Sequence, residues 1–143
     1  MASWNVPLAR RQSLRLLLLA LLCLLAYARS LRIPLLEDDY PFIAQAQIYG
    51  APETVPVLFH HAVYRVRATS IWTAFWLEQW FDVAPLAYRL VSLVLHVACT
   101  WLVFGIGLAW VRMRQAAFWA AAFFAVAEGH QEAVMWFTAI NEL

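Results

Sequence analysis

The sequence predicts an all-α integral membrane protein. It has three transmembrane helices and the start of a fourth, with an extracytoplasmic first loop that contains short helices. Three observations predict this fold class. Hydrophobic residues make up 64% of the 143 residues and charged ones only 13%, where a soluble domain runs to roughly 45–50% apolar and ~25% charged. Three apolar runs, separated by polar or proline-punctuated stretches, carry that excess. The chain also holds eight Trp, nine Phe and five Tyr, residues that settle at membrane–water boundaries.

The first run, "LRLLLLALLCLLAYARSLRI", predicts a span over about residues 14–33. That length meets the roughly 20 residues a spanning helix needs, with Arg15 and Arg29 reaching back toward the two surfaces. A cleaved signal peptide fits the same residues. Arg10, Arg11 and Arg15 would form its basic region and Ala26-Tyr27-Ala28 its cleavage site. On either reading the chain leaves the cytoplasm after Arg29.

Residues 34–83 read as an outer loop. Pro34, Pro41, Pro52, Pro56 and Gly50 punctuate it. Within it, Trp72, Trp76 and Trp80 recur at helical turns over residues 70–82. Ile71, Phe75 and Leu77 widen that apolar face, which predicts a helix lying in the membrane interface. An ordinary amphipathic core helix is the alternative. The second span covers about residues 84–111, with Pro85 at its first turn, where a missing N–H costs nothing. The third is expected at about 115–128, and 129–143 as the start of the next segment.

Arginine placement orients these spans. All ten basic residues are arginine. Residues 1–15 and 111–115 carry Arg10, Arg11, Arg15, Arg112 and Arg114 and no acid, whereas the outer loop holds six acids. Short arginine-bearing segments stay cytoplasmic, so the N-terminus is expected inside and the first loop outside. Net charge is +1, which excludes a polyanion such as nucleic acid as an evident partner. Cys23 and Cys99 lie in apolar runs and read as small hydrophobes.

The orientation puts two polar clusters on the outer side. "LEDDYPFI" places Glu37, Asp38 and Asp39 together. A carboxylate there can take a proton from an acceptor hydroxyl, or hold a divalent cation beside a phosphate leaving group. The bland alternative is Asp38 or Asp39 capping a helix. "EGHQEAVMW" supplies Glu128, His130 and Glu132, with Gly129 as a potential helix breaker. A metal site joining this cluster to His60 and His61 is conceivable, although adjacent histidines point apart. Between the clusters, Arg89, Ser92, His96 and Thr100 recur every three to four residues and line one face of the second span. Such a stripe faces a bundle interior or a watery cavity, and from it Arg89 can reach a phosphate. No internal repeat, GxGxxG, P-loop, HExxH or GxSxG motif is present.

The order of these features resembles the N-terminal part of a GT-C-fold membrane glycosyltransferase, of the protein O-mannosyltransferase-like group. That group includes bacterial multi-spanning proteins that often carry tetratricopeptide repeats. "EDDYPFIAQA" is similar to the acidic pair and aromatics that follow the first span, and "YRLVSLVLHVACTWLV" to the histidine-bearing second helix. "AAFFAVAEGHQEAVMW" looks like the segment FalHPvhvEavaw, matching at His130, Glu132, Ala133 and Val134. Ala127 and Glu128 stand where the family has His-Pro.

The resemblance implies transfer of a sugar, with inversion, from a polyprenyl-phosphate donor on the extracytoplasmic face, with the first-loop acid serving as base toward the acceptor or helping to bind a divalent cation. It implies Asp38 as base and Asp39 as its support, with Arg89, His96, His130 and Glu132 on the substrate side. Membrane lipids and the lipid-linked sugar are the partners it implies, in a bacterial inner membrane. The chain is then expected to be the N-terminal portion of a longer enzyme and inactive alone. Two other readings stand beside it. One is a small non-catalytic anchoring or partner-binding membrane protein. The other is a transporter fragment, whose mark would be discontinuous helices in a repeat.

Overall fold

A computed structural model describes residues 6–111 and 113–142, the side chains of 6–10, 63, 141 and 142 apart. Arg10 and Arg112, two of the arginines expected inside, thus lie outside the described side chains, as does Leu143. Every regular element among the described residues is helical, with no strand among them. Eight α-helices follow in order: α1 Val6–Tyr27, α2 Asp39–Tyr49, α3 Val55–His60, α4 Ala62–Val66, α5 Ala68–Phe81, α6 Pro85–Trp110, α7 Arg114–Val126 and α8 Gln131–Met135. Short 3-10 turns occupy Ala28–Arg32, Glu128–His130 and Phe137–Glu142.

Two stretches are long and apolar enough to cross a membrane, Arg11–Arg32 and Pro85–Trp110. Only 22% and 28% of their apolar windows are buried, so most of their apolar side chains face outward. A core helix of a soluble protein buries its leucines. Here Leu17 and Leu25 of α1 and Val94, Leu102 and Ile106 of α6 are exposed. At ~1.5 Å per residue α6 is about 39 Å long, more than the ~30 Å of a bilayer core. Pro85 opens α6 as expected. The first span stops at Ile33, which turns to extended backbone (φ −81°, ψ 131°) because the following Pro34 disfavours helix there.

α1 and α6 run antiparallel. Leu16 lies near Trp101, whose indole N–H donates to its carbonyl at 3.0 Å, while Ile33 lies near Arg89. α7 returns beside α6 and packs an alanine face on it: Ala117, Ala121, Ala122 and Ala125 are buried. Gly107 sits at the crossing, where an added Cβ would lie 2.8 Å from Ala117 Cβ. Small residues let the two backbones approach this closely.

Residues 34–83 pack as a helical cap over one end of this bundle. Ile71, Ala74 and Leu77 of α5 are buried in one cluster with Phe42, Ile43 and Ala46 of α2. Gly50 ends α2 against α5, where a Cβ would come within 2.5 Å of Phe75 Cβ. This corrects the expected interfacial face. Trp72 and Trp80 are exposed, Trp76 is half-buried, and the row points away from Ile71 and Leu77. The centres of the two sets lie about 160° apart around the helix, so a single apolar face cannot hold both. α5 is a core helix with a tryptophan ridge on its outer side.

The end of the chain also differs from expectation. Residues 128–142 form two 3-10 turns and a five-residue helix. No long helix starts there. Phe137 and Ile140 are instead buried in the cluster that contains Phe42 and Tyr88. The apolar run "AVMWFTAI" reads as a fourth span by composition, but its residues fold back onto the cap.

Candidate functional site

The site grows from the start of α2. Asp39 is its first residue and is fully buried, while Asp38 before it and Glu37 are exposed. Asp39 Oδ1 accepts from the Thr138 amide at 3.0 Å and its hydroxyl at 2.9 Å. Oδ2 accepts from the Leu36 amide at 2.9 Å and from Arg89 Nη2 at 3.4 Å. Asp38 holds the capping position without a side-chain cap bond.

Arg89 is equally buried. Besides Asp39 it donates to the carbonyls of Pro34 at 2.6 Å, Ile33 at 3.4 Å and Met135. A guanidinium has five N–H groups, and four contacts inside the protein occupy this one. The expectation that Arg89 reaches a phosphate is therefore corrected. It ties the end of α1, the start of α2, α6 and the end of α8 at one point.

One turn-pair further along α6, His96 is fully buried and its Nε2 lies 3.1 Å from the carbonyl of Ala125. That carbonyl is freed because α7 stops at Val126. A carbonyl only accepts, so Nε2 carries the proton. Tyr27 donates its hydroxyl at 3.0 Å to the Ala127 carbonyl, which also accepts from the His130 amide at 3.2 Å. Thr100 donates its one hydroxyl hydrogen to the His96 carbonyl at 2.9 Å, so its oxygen accepts from the Cys23 thiol at 3.4 Å. The predicted stripe Arg89, Ser92, His96 and Thr100 is thus entirely buried, and two of its members, Arg89 and His96, serve backbone carbonyls outside α6. Buried carbonyls in an apolar setting cost several kcal/mol each when unpaired, which is why the break sits opposite this stripe.

Three buried polar atoms on the same helix face, Tyr88 Oη, Ser92 Oγ and His96 Nδ1, have no hydrogen-bond partner. His130 is half-buried, its ring 4.2 Å from that of Phe124 and 5.6 Å from that of His96. Glu132 is exposed on α8. The structure therefore brings His96 and His130 together, and leaves Glu132 and Asp38 at the surface.

Beside the break lies a cavity of about 320 Å³. Its polar lining is Tyr27, Arg29, Ser30, Glu128 and Gln131, and Met135 closes it. It combines a guanidinium for an anionic group with a carboxylate able to take a proton. Arg29, Glu128 and Tyr27 were not singled out for this role by the sequence. Glu128 stands where the resembled family has another residue, and Tyr27 reads there as part of a cleavage motif. His60 and His61 are elsewhere, on α3 and the turn after it: His60 Nδ1 lies 2.7 Å from the Pro56 carbonyl, and the His61 ring 4.6 Å from that of Tyr64. Among the described residues no three His, Cys, Asp or Glu side chains converge as a metal site requires.

Compared with known proteins, the chain matches no family model, no curated protein and no solved structure.

Proposed function

We propose that this chain forms the N-terminal part of a polytopic GT-C-type glycosyltransferase that uses a polyprenyl-phosphate sugar at the outer membrane face. One observation supports it above the others. Asp39 is clamped by Arg89 and Thr138, which fixes the backbone of the exposed Asp38 next to it. Met135 links this clamp to the cavity, since its carbonyl accepts from Arg89 while the residue lines the cavity wall.

In this reading three segments cross the membrane. α7 alone has 13 residues, about 20 Å at ~1.5 Å per residue. Residues 114–135, through the break to the end of α8, complete the crossing. Exposed Trp119 and Phe123 face lipid. Broken helices are tolerated at membrane depth where protein side chains capture the freed backbone groups, as His96 and Tyr27 do.

The chemistry follows the two carboxylate environments. The acceptor hydroxyl oxygen attacks the anomeric carbon as the Asp38 carboxylate takes its proton. The bond from that carbon to the phosphate oxygen breaks, polyprenyl phosphate leaves, and the anomeric configuration inverts. Asp39 is a positioning residue. Arg29, with Glu128 across the cavity, is placed to meet the donor phosphate, and His130 and Glu132 border the acceptor.

The test is sugar transfer by the intact protein in membranes, from a panel of radiolabelled polyprenyl-phosphate hexoses and pentoses. Asp38→Asn is expected to abolish transfer without loss of membrane insertion, while Glu37→Gln retains it. Transfer that survives Asp38→Asn overturns the assignment. A second reading draws on the same clamp. Asp39 and Arg89 are consumed in holding the fold and the tryptophan ridge of α5 is exposed, as an anchoring or partner-binding protein would have them. In that case no donor in the panel is used and Asp38→Asn changes nothing.

A further inference from the structure

The end of the molecule opposite the clamp carries a second cavity, of about 250 Å³. It lies between the start of α1, the end of α6 and the start of α7. Arg11 and Arg15 enter it from successive turns of α1, Arg114 from the first residue of α7, and Gln12 beside them; Phe104 and Leu108 form the apolar wall. One water needs only about 10–15 Å³ of such space, so the cavity admits a group of many atoms.

Its charge is uncompensated. Residues 1–36 and 83–127 contain no Asp or Glu. Among the described residues no side chain pairs with Arg11, Arg15 or Arg114. Arg89 shows how this protein treats an arginine with a structural role: it is buried and bound by a carboxylate and three carbonyls. The three arginines of the cavity have no such partners, and confining three like charges is unfavourable without an anion between them.

We propose that this cavity binds a phosphate group, either the head group of an anionic phospholipid or free phosphate. Guanidinium forks match phosphate oxygens in paired hydrogen bonds. Three converging forks suit an anion with several acceptor oxygens. Basic pockets between apolar helices hold phospholipid head groups in this way. The surroundings fit an amphiphile. Leu14 and Leu18 of α1, three residues on from Arg11 and Arg15 and on their side of the helix, are exposed, and an acyl chain can lie along them while the phosphate sits among the arginines. This site is separate from the proposed transfer reaction and stands whether or not that reading holds.

The experiment uses the full chain in dodecyl maltoside. Native mass spectrometry counts phospholipid adducts with added phosphatidylglycerol and, in parallel, phosphatidylcholine. Calorimetric titration with inorganic phosphate forms the second arm. Phosphatidylglycerol adducts are expected to exceed phosphatidylcholine adducts, and to fall by at least about tenfold in an Arg11→Gln, Arg15→Gln, Arg114→Gln variant. Arg65→Gln with Arg67→Gln, on the cap, should leave them unchanged. Should the triple variant fail to fold, the single substitutions at the exposed Arg11 and Arg114 give the same readout in smaller steps. Binding of inorganic phosphate without lipid preference identifies free phosphate as the ligand and keeps the site. Binding of neither probe by the unmodified chain overturns the proposal, as does a folded triple variant that binds like it.

Discussion

Arg89 Nη2 lies 3.4 Å from Asp39 Oδ2, and both side chains are fully buried. The two residues are fifty positions apart. One comes from the first turn of the cap and the other from an apolar helix. Asp39 also accepts from Leu36 and Thr138, and Arg89 also donates to the carbonyls of Ile33, Pro34 and Met135. The pair therefore joins the cap to the bundle. It also joins the last described turns to both.

Removal of either partner leaves a buried charge without its counter-charge, at about 3–5 kcal/mol. Arg89→Leu and Asp39→Leu are each expected to destabilise the chain by that order, measured by denaturant titration in micelles. The double substitution should cost less than the sum of the singles, since it removes both charges at once. A double-mutant cycle with additive losses would show that the pair does not couple.

His96 and Tyr27 make a second prediction. Each serves a carbonyl at the break after α7: His96 that of Ala125, and Tyr27 that of Ala127, which the His130 amide also reaches. His96→Leu leaves a buried acceptor unpaired, a loss of about 1–3 kcal/mol. His96→Gln retains an N–H donor and is expected to recover much of that. Tyr27→Phe should cost about 1 kcal/mol. Equal stability of the Leu and Gln variants would mean that the Ala125 carbonyl is satisfied without this side chain.

These relationships divide what the sequence displays from what it conceals. The Arg11–Arg32 and Pro85–Trp110 stretches are legible because length and hydropathy alone mark a helix that can cross a bilayer. The Arg89, Ser92, His96, Thr100 stripe is legible because helical period fixes which residues share a face. What that face meets is not. Spacing along α6 carries no information on Ile33, Ala125 or Met135, so Arg89 read as a free phosphate ligand. Composition misled at two places. The tryptophans of α5 and its Ile71, Leu77 pair are all apolar, yet they lie on different sides of the helix. "AVMWFTAI" is apolar enough to continue as a span, but Thr138 is drawn back by Asp39.

The α6–α7 crossing yields a third prediction. A Cβ at Gly107 would sit 2.8 Å from Ala117 Cβ and 3.1 Å from its Cα, both backbone-proximal atoms that cannot swing aside. Gly107→Ala is expected to destabilise by about 1–3 kcal/mol through overpacking, although alanine is the better helix former. Adding Ala117→Gly should relieve the clash. Gly105, two residues before it, meets nothing within 4 Å, so Gly105→Ala should be neutral or stabilising by up to ~1 kcal/mol. The comparison is read from thermal denaturation of the three variants and the unmodified chain in the same micelle.

Asp82 carries the last prediction. It closes α5 with φ 56° and ψ −156°, and it is the one non-glycine with positive φ among the described residues. That region is open almost only to glycine, and holding another residue there costs about 1–3 kcal/mol. The strain is held because the Asp82 amide donates to the Glu78 carbonyl at 2.8 Å and Pro85 starts α6 three residues later. Asp82→Gly relieves the strain at an entropic cost of ~0.5–1 kcal/mol in the unfolded chain. The net expectation is a gain of about 1 kcal/mol, seen as a higher denaturant midpoint with an unchanged slope. Asp82→Ala should not gain, because it keeps the Cβ that makes the conformation costly. If alanine stabilises as much as glycine, the relief comes from losing the carboxylate, and the backbone at this turn is not strained.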